Sequence, residues 1–309
     1  MRKQLASTLV ELAGRDPRIV LLTADLGFMV LEEFAAAYPD RFYNVGVAEA
    51  DMAGIATGLA ACGYIPFLYS IATFASMRGY EQLRDGPVLH RLPVRVLGIG
   101  GGFEYGHAGP THAALEDLGI MRCQPGLTVI APADDDQAAA AIRAAYDLPG
   151  PVYFRISKEN CPPLPGLDGR FALGRMEILR AGVDAGIIAI GSIAAEAVRA
   201  SEMLAADGIR TAVGIVSSLR PAPADDIRKF LGGVATVVTV EEHYPEGGLG
   251  SLVAETAAGI GAPCRVVRLG AKFPFPAVIG STRFLREQHG LSAENIARCV
   301  REGRGGGRP

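Results

Sequence analysis

Residues 43–80 read YNVGVAEADMAGIATGLAACGYIPFLYSIATFASMRGY. The sequence here predicts a strand over RFYNVGVAE, begun at Arg41, a helix over ADMAGIATGLAACG closed by Gly63, and a further strand through IPFLYSIA. A further helix starts at TFASMRGY. One carboxylate, Glu49, lies in the Gly- and Ala-rich part of this run. An aromatic cluster follows, with Phe67, Tyr69, Phe74 and Tyr80. Apolar surroundings favour the protonated form of an acid. A proton-sharing acid beside an aromatic wall suits a flat heteroaromatic ring with a basic nitrogen. The segment therefore reads as half of a cofactor site.

Working outward, the same alternation continues in both directions. An amphipathic helix from about Arg2 to Ala13 precedes the strand IVLLTADLG, and VLEEFAAAYPD is a short helix stopped by Pro39. TFASMRGYEQLRDGPVLHR is helical up to a break at Gly86-Pro87. VRVLGIGG is a strand opening the loop GGFEYGHAGPTHAALEDLGIMR, whose second half reads as a helix entered after Pro110. LTVIAPAD, DDDQAAAAIRAAYDL and PVYFRIS supply strand, helix and strand. KENCPPLPGLDGRFALG, with three prolines and three glycines, breaks the pattern and reads as an interdomain linker. Beyond it come DAGIIAIGS, IAAEAVRASEMLAADG, IRTAVGIVSS, PADDIRKFLGG, VATVVTVEEH, GLGSLVAETAAGIG, CRVVRLG and a last helix, SAENIARCVRE. The strands are too uniformly apolar to have a wet face. The expected class is α/β, with two domains that are each a mostly parallel sheet flanked by helices.

Bulk properties remove several function classes. The chain has 309 residues, long enough for two domains. Its net charge of −3 and the lack of Lys/Arg runs interleaved with aromatics argue against nucleic acid. No apolar run approaches the roughly 20 residues that span a bilayer. The N-terminal pattern carries Glu11 and Asp16, so it reads as a folded helix and not a signal peptide. Five cysteines (Cys62, Cys123, Cys161, Cys264 and Cys299) show no CxxC spacing. They fit reduced thiols in a cytoplasmic protein, and a zinc site is not expected. The glycines of GIGGGFEYG do not match a dinucleotide fingerprint. In HYPEGGLG, His243 and Glu246 are expected in a surface loop with packing roles.

DPRIVLLTADLG, DRFYNVGVAEADMAGIATGLAACGY, YSIATF…RGYEQLR, AGPTH and RISKEN occur together and in order. With them the chain resembles the thiamine diphosphate enzymes of the transketolase group. The resemblance implies a pyrimidine-binding domain over residues 1–160, a linker over 161–172, a transketolase C-terminal domain over 173–302 and a disordered tail over 303–309. It implies that Glu49 is the catalytic glutamate, hydrogen-bonded to the ring nitrogen of the aminopyrimidine. That contact favours the imino tautomer, whose exocyclic nitrogen takes the proton from the thiazolium carbon.

By the same resemblance Phe74 supplies the aromatic wall for the pyrimidine, with help from Tyr69, and Asp25 ends the first strand near the cofactor. His112 closes AGPTH and meets the substrate's oxygens, where an imidazole stabilises or relays charge. His107 faces the same cleft. Arg78 follows Phe74 at helical spacing and reaches the site or pairs with an acid. Lys158 stands where the family places an arginine for the substrate's anion; lysine keeps the charge without the bidentate fork. Ala108 stands where sugar-phosphate transketolases carry an aspartate that reads a donor hydroxyl. That departure points to a donor of different stereochemistry or a smaller 2-oxo compound.

The family holds the diphosphate and Mg²⁺ through a GDG motif with a downstream Asn pair, and no GDG occurs in this chain. The resemblance thus implies the C-terminal-half subunit of a split transketolase. A partner carrying the diphosphate domain, in an α2β2 assembly, would complete it. Two alternatives belong to other classes: the beta subunit of a 2-oxoacid dehydrogenase complex or a deoxyxylulose-phosphate-synthase-like enzyme, and a degenerate structural or regulatory member. AGPTH disfavours the dehydrogenase subunit, and an intact Glu49, Phe74 and His112 disfavour the degenerate member.

Overall fold

Strands without a polar face must be covered on both sides, and here they are. The computed structural model describes residues 1–272 and 278–305. Six strands of the first domain, β1 (Ile19–Thr23), β2 (Phe42–Asn44), β3 (Ile65–Ile71), β4 (Arg95–Ile99), β5 (Thr128–Ile130) and β6 (Val152–Ile156), run parallel in the order β5-β6-β4-β3-β1-β2. Every residue of β1, β3, β4 and β6 is buried.

Side chains alternate across the sheet. Phe67 and Tyr69 of β3 join a core with α1 (Arg2–Arg15), α2 (Glu32–Ala37) and α7 (Asp135–Ala145). Leu68 faces the other way, into a core built with α3 (Glu49–Ala61), α4 (Ala72–Met77), α5 (Tyr80–Leu83) and α6 (Asp117–Arg122). Arg95 is fully buried in β4. Its guanidinium donates to the carbonyls of Tyr146, Leu148 and Gly150 just past α7, and burial pushes it down to about 10. Carbonyls left over at a helix C-terminus welcome such a cation.

The second sheet has the order β12-β11-β8-β9-β7, from β7 (Met176–Arg180), β8 (Ala185–Ala189), β9 (Thr211–Val216), β11 (Thr236–Val240) and β12 (Arg265–Leu269). All pairs are parallel except β7 against β9. Around it lie α8 (Ala194–Ala206), α9 (Ala224–Gly232), α10 (Leu249–Ile260), α11 (Thr282–His289) and α12 (Ala293–Gly305). Among the described residues no helix is long and apolar enough to cross a membrane.

The structure departs from the sequence reading in several places. β7 and α11 were not foreseen. IRTAVGIVSS is not one strand: the chain turns at Ser217, and β10 (Ser218–Arg220) leaves its own domain to pair antiparallel with β5, Ser218 opposite Ile130. Alternation reveals a strand but not its partner. The helix after TFASM breaks at Gly79, while Pro87 sits inside a π turn. Pro110 opens only a three-residue 3₁₀ turn, and α6 begins at Asp117. α12 runs on to Gly305, so residues 303–305 are helical and not tail, while 306–309 lie outside the described residues.

Candidate active site

Parallel strands deliver their following loops to one edge of the sheet, where α/β proteins place ligands. β2, β3, β4 and β6 bring Glu49, Phe74, the 101–112 loop and Lys158 to that edge.

Glu49 is the first residue of α3 and is 4% exposed. The Ser70 hydroxyl donates to its Oε1 at 2.8 Å, and Arg78 Nη1 donates to its Oε2 at 3.1 Å. The purely apolar setting expected for this acid is therefore corrected: the carboxyl is buried with one hydroxyl and one guanidinium. Close approach is permitted by Gly79, where a Cβ would come within 3.0 Å of the Glu49 carbonyl oxygen.

Arg78 lies one turn after Phe74 and sets its guanidinium carbon 3.8 Å from the centre of that ring. The other neighbour of Phe74 is His112, edge-to-face at 5.0 Å. Thr111 Oγ1 lies 3.0 Å from His112 Nδ1 and fixes the imidazole's rotation. Next comes Tyr105, 6.3 Å from His112 between ring centres, with Lys158 Nζ 4.2 Å from the Tyr105 centroid. Glu49, Arg78, Phe74, His112, Tyr105 and Lys158 thus form one continuous chain of contacts from a buried acid to a half-exposed cation.

Three named residues stand apart from that chain. Tyr69 points to the opposite face of β3 from Ser70, into the core with α1 and α2, and burial pushes its phenol up to about 12. It does not join Phe74 as ring wall. Asp25 is exposed just past β1, with φ of 57°, and exchanges two 3.0 Å hydrogen bonds with Asn44. His107 is exposed on a short 3₁₀ turn, next to Ala108. His243 corrects a further expectation. It is 1% exposed, its Nε2 accepts from the Gly119 amide at 3.0 Å, and burial lowers its basicity. It joins the two domains from within.

Ser70 and Tyr105 were missed. The signal for Ser70 was present, as the one hydroxyl in an otherwise apolar buried strand. Tyr105 carries no such signal, as one aromatic in a glycine-rich loop without periodicity.

The family model "Transketolase, pyrimidine binding domain" matches residues 1–163, and "Transketolase, C-terminal domain" matches 174–296. The chain is 34% identical to one subunit of the apulose-4-phosphate transketolase of Phocaeicola vulgatus, over 97% of this chain and 96% of that protein. It is 37% identical to the 6-deoxy-6-sulfo-D-fructose transketolase subunit SqwH of a Clostridium species, over 98% and 94%. A solved split-gene transketolase, described as an inactive beta4 tetramer, superposes with a TM-score of 0.89 at 36% identity, covering 98% of this chain and 97% of that one. Matched from end to end by such subunits, the chain belongs to the transketolase family, as the C-terminal-half subunit of a two-chain transketolase-like enzyme.

Proposed function

We propose that this subunit supplies the pyrimidine half of a thiamine diphosphate site and, with a partner chain, moves a two-carbon ketol unit from a donor to an aldehyde. The observation carrying the proposal is the unbroken contact chain from Glu49 through Arg78 and Phe74 to His112. A buried carboxyl next to a ring wall fits an aminopyrimidine. When bound, the cofactor supplies the nucleophilic carbon that carries the two-carbon unit.

Glu49 holds and shares a proton with the ring nitrogen, while Ser70 and Arg78 fix its two oxygens. Phe74 stacks against the ring. His112 donates to substrate oxygens as they gain charge, and the exposed His107 would face the same cleft. Lys158 holds the substrate's anionic group. The relatives named for apulose 4-phosphate and for 6-deoxy-6-sulfo-D-fructose support this, because phosphate and sulfonate are both tetrahedral anions. The Asp25–Asn44 pair, just past β1, would lie beside the cofactor. Ala108, a methyl group at the loop tip, leaves a donor hydroxyl unread.

The partner is the N-terminal-half subunit, which holds the diphosphate and Mg²⁺ in an α2β2 assembly. Large apolar side chains near the site, Phe28, Met29 and Val47, are 72%, 90% and 69% exposed, and a partner subunit would cover them. Five free cysteines support a cytoplasmic location.

The test is proton exchange at the cofactor's reactive carbon in the two-chain complex. Glu49→Gln lowers the exchange rate by roughly 100-fold or more, the scale of a lost general acid–base contact. Unchanged exchange would show that Glu49 is not the acid.

A further inference from the structure

Glu104 sits in the active-site loop but faces away from the cleft. It is 3% exposed, at the seam between the two domains. Three donors converge on its carboxyl. Ser157 Oγ reaches Oε1 at 2.6 Å, Ser192 Oγ of the second domain reaches Oε1 at 3.1 Å, and the Lys158 amide reaches Oε2 at 2.6 Å. Glu242 and Arg286 close the far side, with Arg286 donating to both Glu242 oxygens and to Ser192. A small cavity of about 20 Å³ is lined by Glu104, Arg155, Ser157, Ser192 and Glu242.

The residue after Glu104 is Tyr105, whose ring carries the Lys158 ammonium. The carboxyl therefore grips the main chain of Lys158, while its neighbour supports the tip of the same side chain. Arg2 Nε holds the Lys158 carbonyl at 3.0 Å from a third direction. A lysine has four rotatable bonds and a diffuse reach. Fixing both ends of it yields a defined anion seat where the family's arginine fork is missing.

We propose that Glu104 is a positioning residue for Lys158: its carboxyl and the adjoining Tyr105 ring together set the seat for the substrate's anionic group. This rests on the reading of Lys158 as the anion holder. Burial, with Glu242 nearby, pushes Glu104 up to about 7, so holding this acid in place works against the fold's own stability.

Glutamine keeps a carbonyl for the Lys158 amide and turns its NH₂ toward the two serine hydroxyls, which can accept. Alanine keeps neither contact. The experiment uses the two-chain enzyme with hydroxypyruvate as donor. KM and kcat are measured for glyceraldehyde 3-phosphate and for glyceraldehyde, together with the inhibition constant of inorganic phosphate against glyceraldehyde. Glu104→Ala raises the KM for the phosphorylated aldehyde and the phosphate inhibition constant roughly fivefold or more, the scale of a lost hydrogen bond to a buried partner. Its kcat and the glyceraldehyde constants stay within about twofold on the same scale. Glu104→Gln restores the values toward wild type, and Ser192→Ala gives a smaller shift in the same direction should Glu104→Ala fold poorly.

Lys158→Ala is the control. If it leaves the phosphate-dependent constants unchanged, the reading of Lys158 is wrong and this proposal falls with it. If Lys158→Ala raises them while Glu104→Ala and Ser192→Ala do not, the Lys158 reading survives and the role given to Glu104 is overturned. An equal loss of kcat for both aldehydes in Glu104→Ala, without rescue by glutamine, also overturns it in favour of a general structural role.

Discussion

Arg78 donates to Glu49 Oε2 at 3.1 Å while its guanidinium carbon lies 3.8 Å from the centre of the Phe74 ring. One side chain thereby couples the acid to the ring wall. Arg78→Leu removes the charge-assisted contact and leaves the buried carboxyl with Ser70 alone. We expect roughly a tenfold loss of exchange at the cofactor's reactive carbon in the two-chain enzyme, from losing a hydrogen bond to a charged group. Arg78→Lys should recover only part of it, because an ammonium cannot both stack and bond as guanidinium does. Full activity in both variants would place Arg78 outside the working site.

Ser70 is fully buried in β3 and its hydroxyl donates a hydrogen bond to Glu49 Oε1. Ser70→Ala deletes that donor with little change in volume. Exchange at the reactive carbon should fall about tenfold, since a buried acceptor left unpaired costs more than the average bond is worth. The melting temperature should move little. Loss of fold without loss of exchange per folded molecule would assign Ser70 to packing.

His112 touches Phe74 by its edge and is turned by Thr111. His112→Ala should leave exchange at the reactive carbon fast and lower kcat for transfer by roughly 100-fold, the usual size of one lost acid–base or charge-stabilising group. Slow exchange with normal turnover of bound substrate would move His112 from substrate steps to cofactor activation.

Ala108 is exposed on the loop tip beside His107. A site that reads a hydroxyl rejects analogues lacking it, and a methyl group reads none. Hydroxypyruvate, or a ketose of altered stereochemistry, should therefore match or exceed common ketose phosphates in kcat/KM. Ala108→Asp should shift preference toward the common donors. A native enzyme that already prefers them strongly would remove Ala108 as the specificity position.

Two buried acids tie stability to pH. Glu104 and Glu241 are each pushed up to about 7, in both cases mainly by burial. Because the folded value exceeds the unfolded one, the fold keeps its full stability at these two positions below about pH 4.5 and loses it progressively as pH rises through about 7, where each acid must be held ionised in a buried place. Glu104→Gln should consequently raise the melting temperature at pH 8 more than at pH 5, by an amount corresponding to at most about 3 kcal/mol. Equal shifts at both pH values would mean that Glu104 is not protonated on folding.

Most of the sheet framework was legible because it is written in local pattern. Apolar runs such as IVLLT and VYFRI announce buried parallel strands, and Gly63 closes α3 where expected. The grouping of Glu49, Phe74, Arg78, His112 and Lys158 was legible because the motifs that hold them follow strands opening on one edge of the sheet. What failed was non-local. Whether Tyr69 or Ser70 faces α3 depends on strand register. The partner of β10 depends on another domain, and the burial of His243 depends on Gly119 across the seam. Glu104 was passed over because a lone glutamate in a glycine-rich loop looks solvated until the serines around it come from both domains.

The pairing of β10 with β5 makes the two domains separable on paper only. A fragment ending in the linker would keep every strand predicted for the first domain. It would expose the backbone of β5, including Val129 and Ile130, both fully buried here. Such a bare, apolar edge is a template for self-association. Any engineered swap of the C-terminal domain between relatives would therefore need to carry residues 217–220 as a graft matched to the recipient's β5.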